Sequence, residues 1–240
     1  MFFRISCFII AIVFLAFSCI YAIEYYSNAD FGSSFELVAF KAEKKLEQKN
    51  KKFIPCAALA NTSTFFMQAI VFPELMRYST LKDDIETESL RTLYVQFGPE
   101  YADFSIGVFQ MKPSFATQVE KLAKHILPDS IYGELKLQYE VSNEIEIRRN
   151  RVVRLMEEDW QLVYLTAFVC ICDKIYEKKI FAGNEEKLQW YATVYNAGFN
   201  RSTEYLETKV RNANFYLEEQ MPGKKFSYAT IATWYYQRQM

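Results

Sequence analysis

Glycine and proline are scarce in this chain, with seven and six copies among 240 residues. Glycine supplies the unusual backbone angles of tight turns and proline interrupts helices, so a chain with few of either favours long helices over many short strands. Hydrophobic residues make up 51% of the sequence, which excludes a disordered or collagen-like chain. The sequence therefore predicts an all-α globular protein.

An excess of either charge is also missing, because 28 Lys and Arg residues face 29 Asp and Glu residues. We therefore expect no nucleic-acid partner held by general positive charge. Histidine occurs once, at His125, and the cysteines lack metal-ligand spacing, so we expect no metal and no cofactor. Outside the apolar N-terminus, one disulfide from Cys56 to either Cys170 or Cys172 is an alternative to three free thiols.

The first 22 residues differ in character from the rest of the chain. One positive charge, at Arg4, precedes an almost wholly apolar run over residues 5–22, and Ala22 offers a small residue for cleavage. This pattern predicts a secretory signal peptide over residues 1–22. Two alternatives stay open, an uncleaved membrane anchor formed by residues 5–22 and lipidation at Cys19. Each of them places the remainder of the chain outside the cytoplasm.

The rest of the chain contains no internal repeat and no flexible linker. One domain over about residues 30–240 is therefore the simplest organisation. Within the chain we distinguish an N-terminal helical extension, residues 23–55, from the main part of the domain, residues 56–240. Apolar residues at helical spacing predict helices from Ser33 or Ser34, over 56–78, from Asp83 or Asp84 to Gly98, from Pro113, and over 134–147, 152–180, 186–197, 202–219 and 226–238. The basic run from Arg148 to Arg154 is interpreted as a solvated face paired with nearby glutamates.

One apolar stretch, from Phe65 to Pro73, ends on a carboxylate at Glu74. Burial disfavours the charged form of a carboxyl group and raises its pKa toward the range of a general acid. Taken alone, the pattern more often marks the first exposed residue after a core helix than a general acid.

Two further segments resemble the signatures of a known family. Residues 107–116, GVFQMKPSFA, resemble without gaps the GLMQIMPSTA signature of lytic transglycosylases of the soluble-lytic-transglycosylase type, which are related to goose-type lysozymes. Residues 195–198, YNAG, match that family's second signature. The order also agrees, because an apolar helix that ends in Glu precedes both. The resemblance covers about residues 60–200, with a looser similarity at 226–236.

The resemblance implies a lysozyme-like helical domain that acts on peptidoglycan glycan strands. In this family one carboxylic acid cleaves the bond between N-acetylmuramic acid and N-acetylglucosamine and leaves a 1,6-anhydromuramyl end. Glu74 is the implied acid and base. The implied substrate-binding residues are Gly107, Phe109, Gln110, Tyr195, Asn196 and, in a looser alignment, Tyr228. We expect a monomer exported to the periplasm or cell envelope of a bacterium.

Gly107 and Gln110 also suit a glycan site on physical grounds. Gly107 has no side chain, so either backbone or a sugar can approach it closely where the chain turns before Pro113. Gln110 carries the donors and the acceptor that hydroxyl and N-acetyl groups need. Asp103 has two interpretations: it caps or orients the turn before Pro113, which we favour, or it is the second carboxylate of a hydrolase.

Two departures from the family pattern leave alternatives open. Leu75 follows Glu74 where the family has Ser, and the interval from Glu74 to Gly107 is longer than usual. A rival assignment makes Glu88 the acid, since Ser89 follows it; we favour Glu74 because of the apolar helix that precedes it. The alternatives to a transglycosylase are a lysozyme-type muramidase, a catalytically inactive peptidoglycan-binding module, and a structural protein without glycan affinity.

Overall fold

Residues 33–78, 90–217, 221 and 223–240 are described by a computed structural model. They form ten helices and one short antiparallel sheet, so the expected all-α character is confirmed. The helices are α1 (Ser33–Leu59), α2 (Thr64–Arg77), α3 (90–97), α4 (Pro113–Ile126), α5 (Asp129–Leu135), α6 (Glu144–Met156), α7 (Glu158–Ile175), α8 (Asn184–Ala197), α9 (Thr203–Arg211) and α10 (Tyr228–Gln239). The strands are β1 (Phe215–Tyr216) and β2 (Lys225–Phe226). The predicted signal peptide, Asp83, Asp84, Glu88 and Ser89 lie outside the described residues.

Helix α2 is the central element of the core. Ser63 starts it, because its hydroxyl accepts a hydrogen bond from the Phe66 backbone N–H at 3.1 Å, as helix-capping serines do. Every side chain from Phe66 to Met76 is buried, and α2 packs against α1, α7, α8 and α10. An apolar helix surrounded in this way carries its last turn, with Glu74, into the interior of the protein.

Helix α1 crosses the expected boundary between residues 55 and 56. Phe35, Leu46 and Phe53 on this helix are at most 1% exposed and belong to the same hydrophobic core as α2 and α10. The predicted boundary between residues 55 and 56 therefore falls inside a helix, and the apolar side of α1 is buried against the rest of the chain. The helix that we predicted from residue 56 also begins later, at Thr64, since α1 continues to Leu59.

The buried polar residue Gln68 ties three helices together. Its Nε2 donates to the Asn50 side chain on α1 at 3.0 Å, and its Oε1 accepts from the Tyr235 hydroxyl on α10 at 2.8 Å. A buried amide is stable only when its polar atoms are paired, so these bonds fix how α1, α2 and α10 meet.

Three predicted helices are shorter or divided in the structure. The predicted helix 134–147 is interrupted because Lys136, at φ +50°, ends α5 and the Asn143 side chain caps the start of α6. The predicted helix 152–180 is two helices that break at Glu157. The predicted helix 202–219 ends at Arg211, and the chain then enters β1, where Phe215 pairs with Phe226 of β2.

The arginines of α6 connect different parts of the chain, so their interpretation as a solvated face is wrong for all but Arg149. Arg151 is 7% exposed and forms a bidentate ion pair with Glu120 of α4. Arg148 donates to the carbonyls of residues 95 and 96 at the end of α3, and Arg154 donates to those of residues 137 and 138. Local glutamates are therefore not their main partners.

Among the described residues, no single helix is long and apolar enough to cross a membrane. One consecutive pair, Phe35–Leu59 with Thr64–Arg77, meets the length and composition requirement jointly but is bent by 119°. The cysteines within the described ranges, Cys56, Cys170 and Cys172, are free thiols. Burial raises the pKa of Cys170 to about 11, which keeps that thiol protonated at neutral pH.

Candidate active site

Glu74 lies on the last turn of α2 and is 4% exposed. Its Oε2 is 2.6 Å from Nη2 of Arg77, one helical turn further along. The Arg77 guanidinium in turn lies over the ring of Phe215, 5.0 Å from the ring centroid. Leu75, which replaces the family's Ser, is 3% exposed and packs in the core. Within the described part of the chain, the candidate acid therefore pairs with a cation on its own helix.

The segment that resembles the first signature forms a tight turn before α4. Ile106 and Met111 exchange two backbone hydrogen bonds, of 2.9 and 3.1 Å, across the turn. Gly107 and Gln110 both have positive φ, +69° and +51°. The Gly107 carbonyl accepts from the backbone N–H and from Nε2 of Gln110, each at 2.9 Å. These bonds hold the Gln110 side chain at the wall of the site.

Gln161 of α7 secures this turn, and sequence reasoning missed it. Its amide is 1% exposed; Oε1 accepts from the Phe109 N–H at 2.9 Å, and Nε2 donates to the carbonyls of Ile106 at 3.3 Å and Leu155 at 2.5 Å. A Cβ on Gly107 would lie 1.6 Å from Gln161 Nε2. The same Cβ would lie 2.9 Å from the Leu155 carbonyl oxygen. The glycine is therefore needed for the approach of the Gln161 side chain and of the Leu155 backbone, and of the two expected neighbours, backbone and sugar, the backbone is the one present.

The second signature is bonded directly to the first. Tyr195, on the last turn of α8, donates its hydroxyl hydrogen to the Phe109 carbonyl at 2.8 Å. Asn196 follows it, and its side-chain amide makes no hydrogen bond with any described residue. Helix α8 ends at Gly198, whose φ of +90° is typical of a glycine that stops a helix. The second signature thus supplies one buried hydroxyl that bonds to the first signature and one amide that is available to a bound molecule.

These segments meet at a cleft of about 480 Å³. Four residues singled out from the sequence line it, namely Glu74, Gln110, Tyr195 and Asn196, and so does Asp103. The other lining residues are Arg77, Ser105, Met111, Lys112, Ser114, Phe115, Gln118, Ala197, Gly198 and Arg201. The cleft thus combines two carboxylates, three cations and several neutral donors and acceptors.

Three other residues that the resemblance links to substrate lie outside the cleft, and two of them, Phe109 and Tyr228, are buried. Phe109 is fully buried, with its ring centroid 6.0 Å from that of Phe53. Tyr228 is 3% exposed and donates its hydroxyl hydrogen to the Ile70 carbonyl at 2.9 Å. Neither residue lines the cleft, and Gly107 does not line it either. Their backbone or hydroxyl groups are used to hold the walls of the cleft together.

Asp103 caps the first turn of α4. Its Oδ1 accepts from the Ser114 N–H at 3.0 Å and its Oδ2 accepts from the Ser114 hydroxyl at 2.7 Å. Lys112 is 3.9 Å from the same carboxylate. These contacts match the favoured interpretation of Asp103 as a residue that orients the turn.

Two tyrosine hydroxyls lie within the electrostatic reach of Glu74. Burial raises the pKa of both Tyr195 and Tyr228 well above the usual value, and the negative charge of Glu74 raises each pKa further. Both hydroxyls therefore remain protonated donors at every working pH.

Sequence reasoning missed four cleft residues with cationic or amide side chains, namely Arg77, Lys112, Gln118 and Arg201, and two serines, Ser105 and Ser114. Helical spacing was an available signal, since Arg77 lies one turn after Glu74 and Gln118 one turn after Ser114. The Oε1 atom of Gln118 is buried and has no hydrogen-bond partner among the described residues. It is an acceptor ready for a donor on a bound molecule.

The described residues contain no group of three or more His, Cys, Asp or Glu side chains placed to hold a metal ion. Comparisons of the chain with protein-family models, with curated proteins and with solved structures find no match in any of the three. The cleft and the two signatures are therefore the features of the chain that bear on its function.

Proposed function

We propose that this protein is a peptidoglycan lytic transglycosylase with a lysozyme-like fold and Glu74 as its single acid and base. One observation carries the proposal: residues singled out in three separate stretches of sequence, Glu74, Gln110, Tyr195 and Asn196, line one cleft. The two signature segments are distant in sequence, and neither one determines the position of the other in the fold. Because both lie beside the buried carboxylate of Glu74, a shared chemical role is supported.

The proposed reaction has two proton transfers through Glu74. The protonated carboxyl group first donates its proton to the glycosidic oxygen as the bond to the muramyl anomeric carbon breaks. The resulting carboxylate then accepts the proton of the muramyl C6 hydroxyl, whose oxygen bonds to the anomeric carbon. No water is consumed, and Glu74 ends in its starting form. General acid and base transfer contributes about 10²–10⁴-fold, so positioning must supply the rest.

The neutral side chains of the cleft suit this positioning. Asn196 and Gln118 offer unpaired amide atoms, and Gln110 is held in a fixed backbone conformation at the wall. N-acetyl and hydroxyl groups of a glycan both donate and accept hydrogen bonds, so amides can orient them without adding charge. Tyr195 acts indirectly, because its hydroxyl is committed to the Phe109 carbonyl.

A lysozyme-type muramidase is the first alternative. Hydrolysis with paired carboxylates needs a second acid, and Asp103 lines the same cleft. Both Asp103 oxygens accept hydrogen bonds from Ser114, which favours a structural role and therefore the transglycosylase. A catalytically inactive peptidoglycan-binding module is the second alternative, favoured by Leu75 in place of the family's Ser and by the ion pair of Glu74 with Arg77.

The proposal includes export to the periplasm or cell envelope, with a monomer acting on glycan strands. The apolar run of residues 5–22 supports export. Mass spectrometry of the mature N-terminus distinguishes cleavage after residue 22, lipidation at Cys19 and a retained anchor.

Digestion of purified sacculi tests the function. We expect wild-type protein to release soluble muropeptides and Glu74→Gln to lose at least about 10²-fold in rate, because the amide cannot donate an acidic proton. Glu134→Gln is the matched control: Glu134 is exposed on α5 and away from the cleft, so this variant should retain the full rate. Loss of activity in Glu88→Gln together with its retention in Glu74→Gln would instead establish the rival assignment.

A further inference from the structure

Arg77 is the cleft residue whose contacts bear most directly on the proposed chemistry. Its Nη2 is 2.6 Å from the Glu74 carboxylate, and both side chains line the cleft. The side chain of Glu74 is 5% exposed and that of Arg77 is 26% exposed, so water screens the pair only in part. Phe215 supports the guanidinium from behind, at 5.0 Å.

A guanidinium at this distance opposes protonation of the carboxylate. Protonation of Glu74 would break its ion pair with Arg77 and leave the charge of the partly buried arginine without the Glu74 carboxylate. The proposed reaction nevertheless requires Glu74 to begin as the acid. The structure therefore contains a cation placed against the first step of the reaction.

Among the described residues that line the cleft or face Glu74, the other titratable groups leave this effect in place. Tyr195 on α8 and Tyr228 on α10 are neutral, and Asp103 is engaged by Ser114. The remaining charged residues of the cleft, Lys112 and Arg201, are also cations, and no described residue of α1 or α7 lines the cleft.

We propose that Arg77 holds Glu74 as the carboxylate in the substrate-free cleft, so that Arg77 sets the pH above which the protein stops cleaving glycan. The proposal rests on the proposed function, because it assigns Arg77 a role in controlling the acid of that reaction. Arg77 is a positioning residue here, since it acts through Glu74. The cleaving form has Glu74 protonated, so activity falls as the pH rises through the Glu74 pKa, and the charge of Arg77 lowers that pKa.

The first measurement is the titration of Glu74 itself, without substrate. The carboxyl carbon of Glu74 is assigned by NMR in labelled protein from the signal that Glu74→Gln removes. We expect its midpoint to rise by about one to three pH units in Arg77→Gln, and to stay near the wild-type value in Arg77→Lys, which keeps the charge. An unchanged midpoint in Arg77→Gln overturns the proposal.

The second measurement is the pH dependence of kcat/KM on soluble glycan strands. We expect the alkaline limb for Arg77→Gln to move upward by the same interval as the NMR midpoint. Arg201→Gln is the matched control, because it removes another cation of the cleft whose Nε donates to the Ala197 carbonyl; it should move the limb much less. Equal shifts in both variants overturn the proposal, since they would reflect the total charge of the cleft.

The two measurements separate this proposal from the proposed function. If the midpoint shifts as expected but neither the wild type nor any variant cleaves glycan, Arg77 does control the protonation of Glu74 through their ion pair, but the proposed catalytic function fails. If cleavage occurs and the limb does not move, the function stands and the role of Arg77 fails. Circular dichroism melting of each variant verifies that the loss of the Arg77 contact with Phe215 leaves the protein folded.

Discussion

Tyr195 and Tyr228 show how hydroxyls near a candidate active site can be structural. Each donates to a buried backbone carbonyl, of Phe109 and of Ile70, at 2.8 and 2.9 Å. When a buried carbonyl loses its donor, the protein loses more folding free energy than the hydrogen bond contributed, because water cannot replace the donor. These tyrosines hold α8 and α10 against the segments that carry the cleft residues.

Replacement of Tyr228 by Phe should therefore destabilise the protein without changing substrate affinity. We expect the free energy of unfolding to fall by about 1–3 kcal/mol, measured by urea denaturation, with KM unchanged. Tyr216→Phe is the control. Tyr216 is 42% exposed, so the loss of its hydroxyl should lower the free energy of unfolding by less than about 0.5 kcal/mol. A raised KM at wild-type stability would return Tyr228 to the substrate-binding residues.

Gly107 is required by its backbone angle and by its neighbour. Gly107→Ala would place a methyl group 1.6 Å from Gln161 Nε2 at a φ of +69°, so we expect a loss of at least about 2 kcal/mol in unfolding free energy. Gly133→Ala is the matched change: nothing lies within 4 Å of its Cβ position, and alanine favours the helix, so stability should rise by up to about 1 kcal/mol. Equal melting temperatures for the two variants would contradict this account.

Among the secondary-structure elements, α6 depends most on contacts that are distant in sequence. Arg151 binds Glu120 of α4 and the hydroxyl of Tyr94 on α3, and the hydroxyls of Tyr139 and Tyr164 donate to the same carboxylate. This network joins α6 to four other parts of the chain through one ion pair. The apolar residues of α6 contribute only a few core positions, so its polar contacts carry much of its attachment.

Removal of one partner from this network should be costly. We expect Arg151→Met to lower the unfolding free energy by about 3–5 kcal/mol, because the Glu120 charge then remains buried without its cation. Lys44→Met breaks an exposed ion pair with Glu47 and should cost under about 0.5 kcal/mol. Urea denaturation of both variants measures the difference, and a comparable small cost for the two would refute the structural role of Arg151.

The element boundaries show what a single sequence can and cannot predict. The start of α4 at Pro113 and the end of α8 at Gly198 were predictable, because proline and glycine act through their own backbone geometry. The continuation of α1 past Pro55 and the network around Arg151 were not, since both depend on packing against distant helices. The same distinction applies to the cleft. Its two signatures are local patterns and were predictable, whereas the contact of Gln161 with Gly107 exists only in the folded chain and was not.

At the scale of the whole molecule, the described residues share one hydrophobic core, which extends from Phe35 on α1 to Tyr236 on α10. Burial of a core this continuous makes α1 a requirement for folding. The scarcity of glycine and proline and the high hydrophobic content predicted a helical body from the sequence. They gave no information on where that body begins, because the apolar side of α1 is interrupted by many charged residues.

A fragment of residues 56–240 should therefore fail to fold cooperatively. It lacks Phe35, Leu46 and Phe53, each fully buried, and each such loss costs about 2–5 kcal/mol against a total stability of about 5–15 kcal/mol. A fragment of residues 33–240 keeps them and should give a sharp thermal transition by circular dichroism. Equally sharp transitions for both fragments would restore the boundary at residue 56.

The central claim is that Glu74 in this cleft cleaves glycan strands without water. Mass analysis of the products released from purified sacculi tests it most directly, with Glu74→Gln in parallel. We predict muropeptides that end in 1,6-anhydromuramic acid from the wild type and none above background from the variant. Reducing muramic acid ends would contradict the claim in favour of a muramidase, and the absence of soluble products from the wild type would contradict it in favour of a binding module.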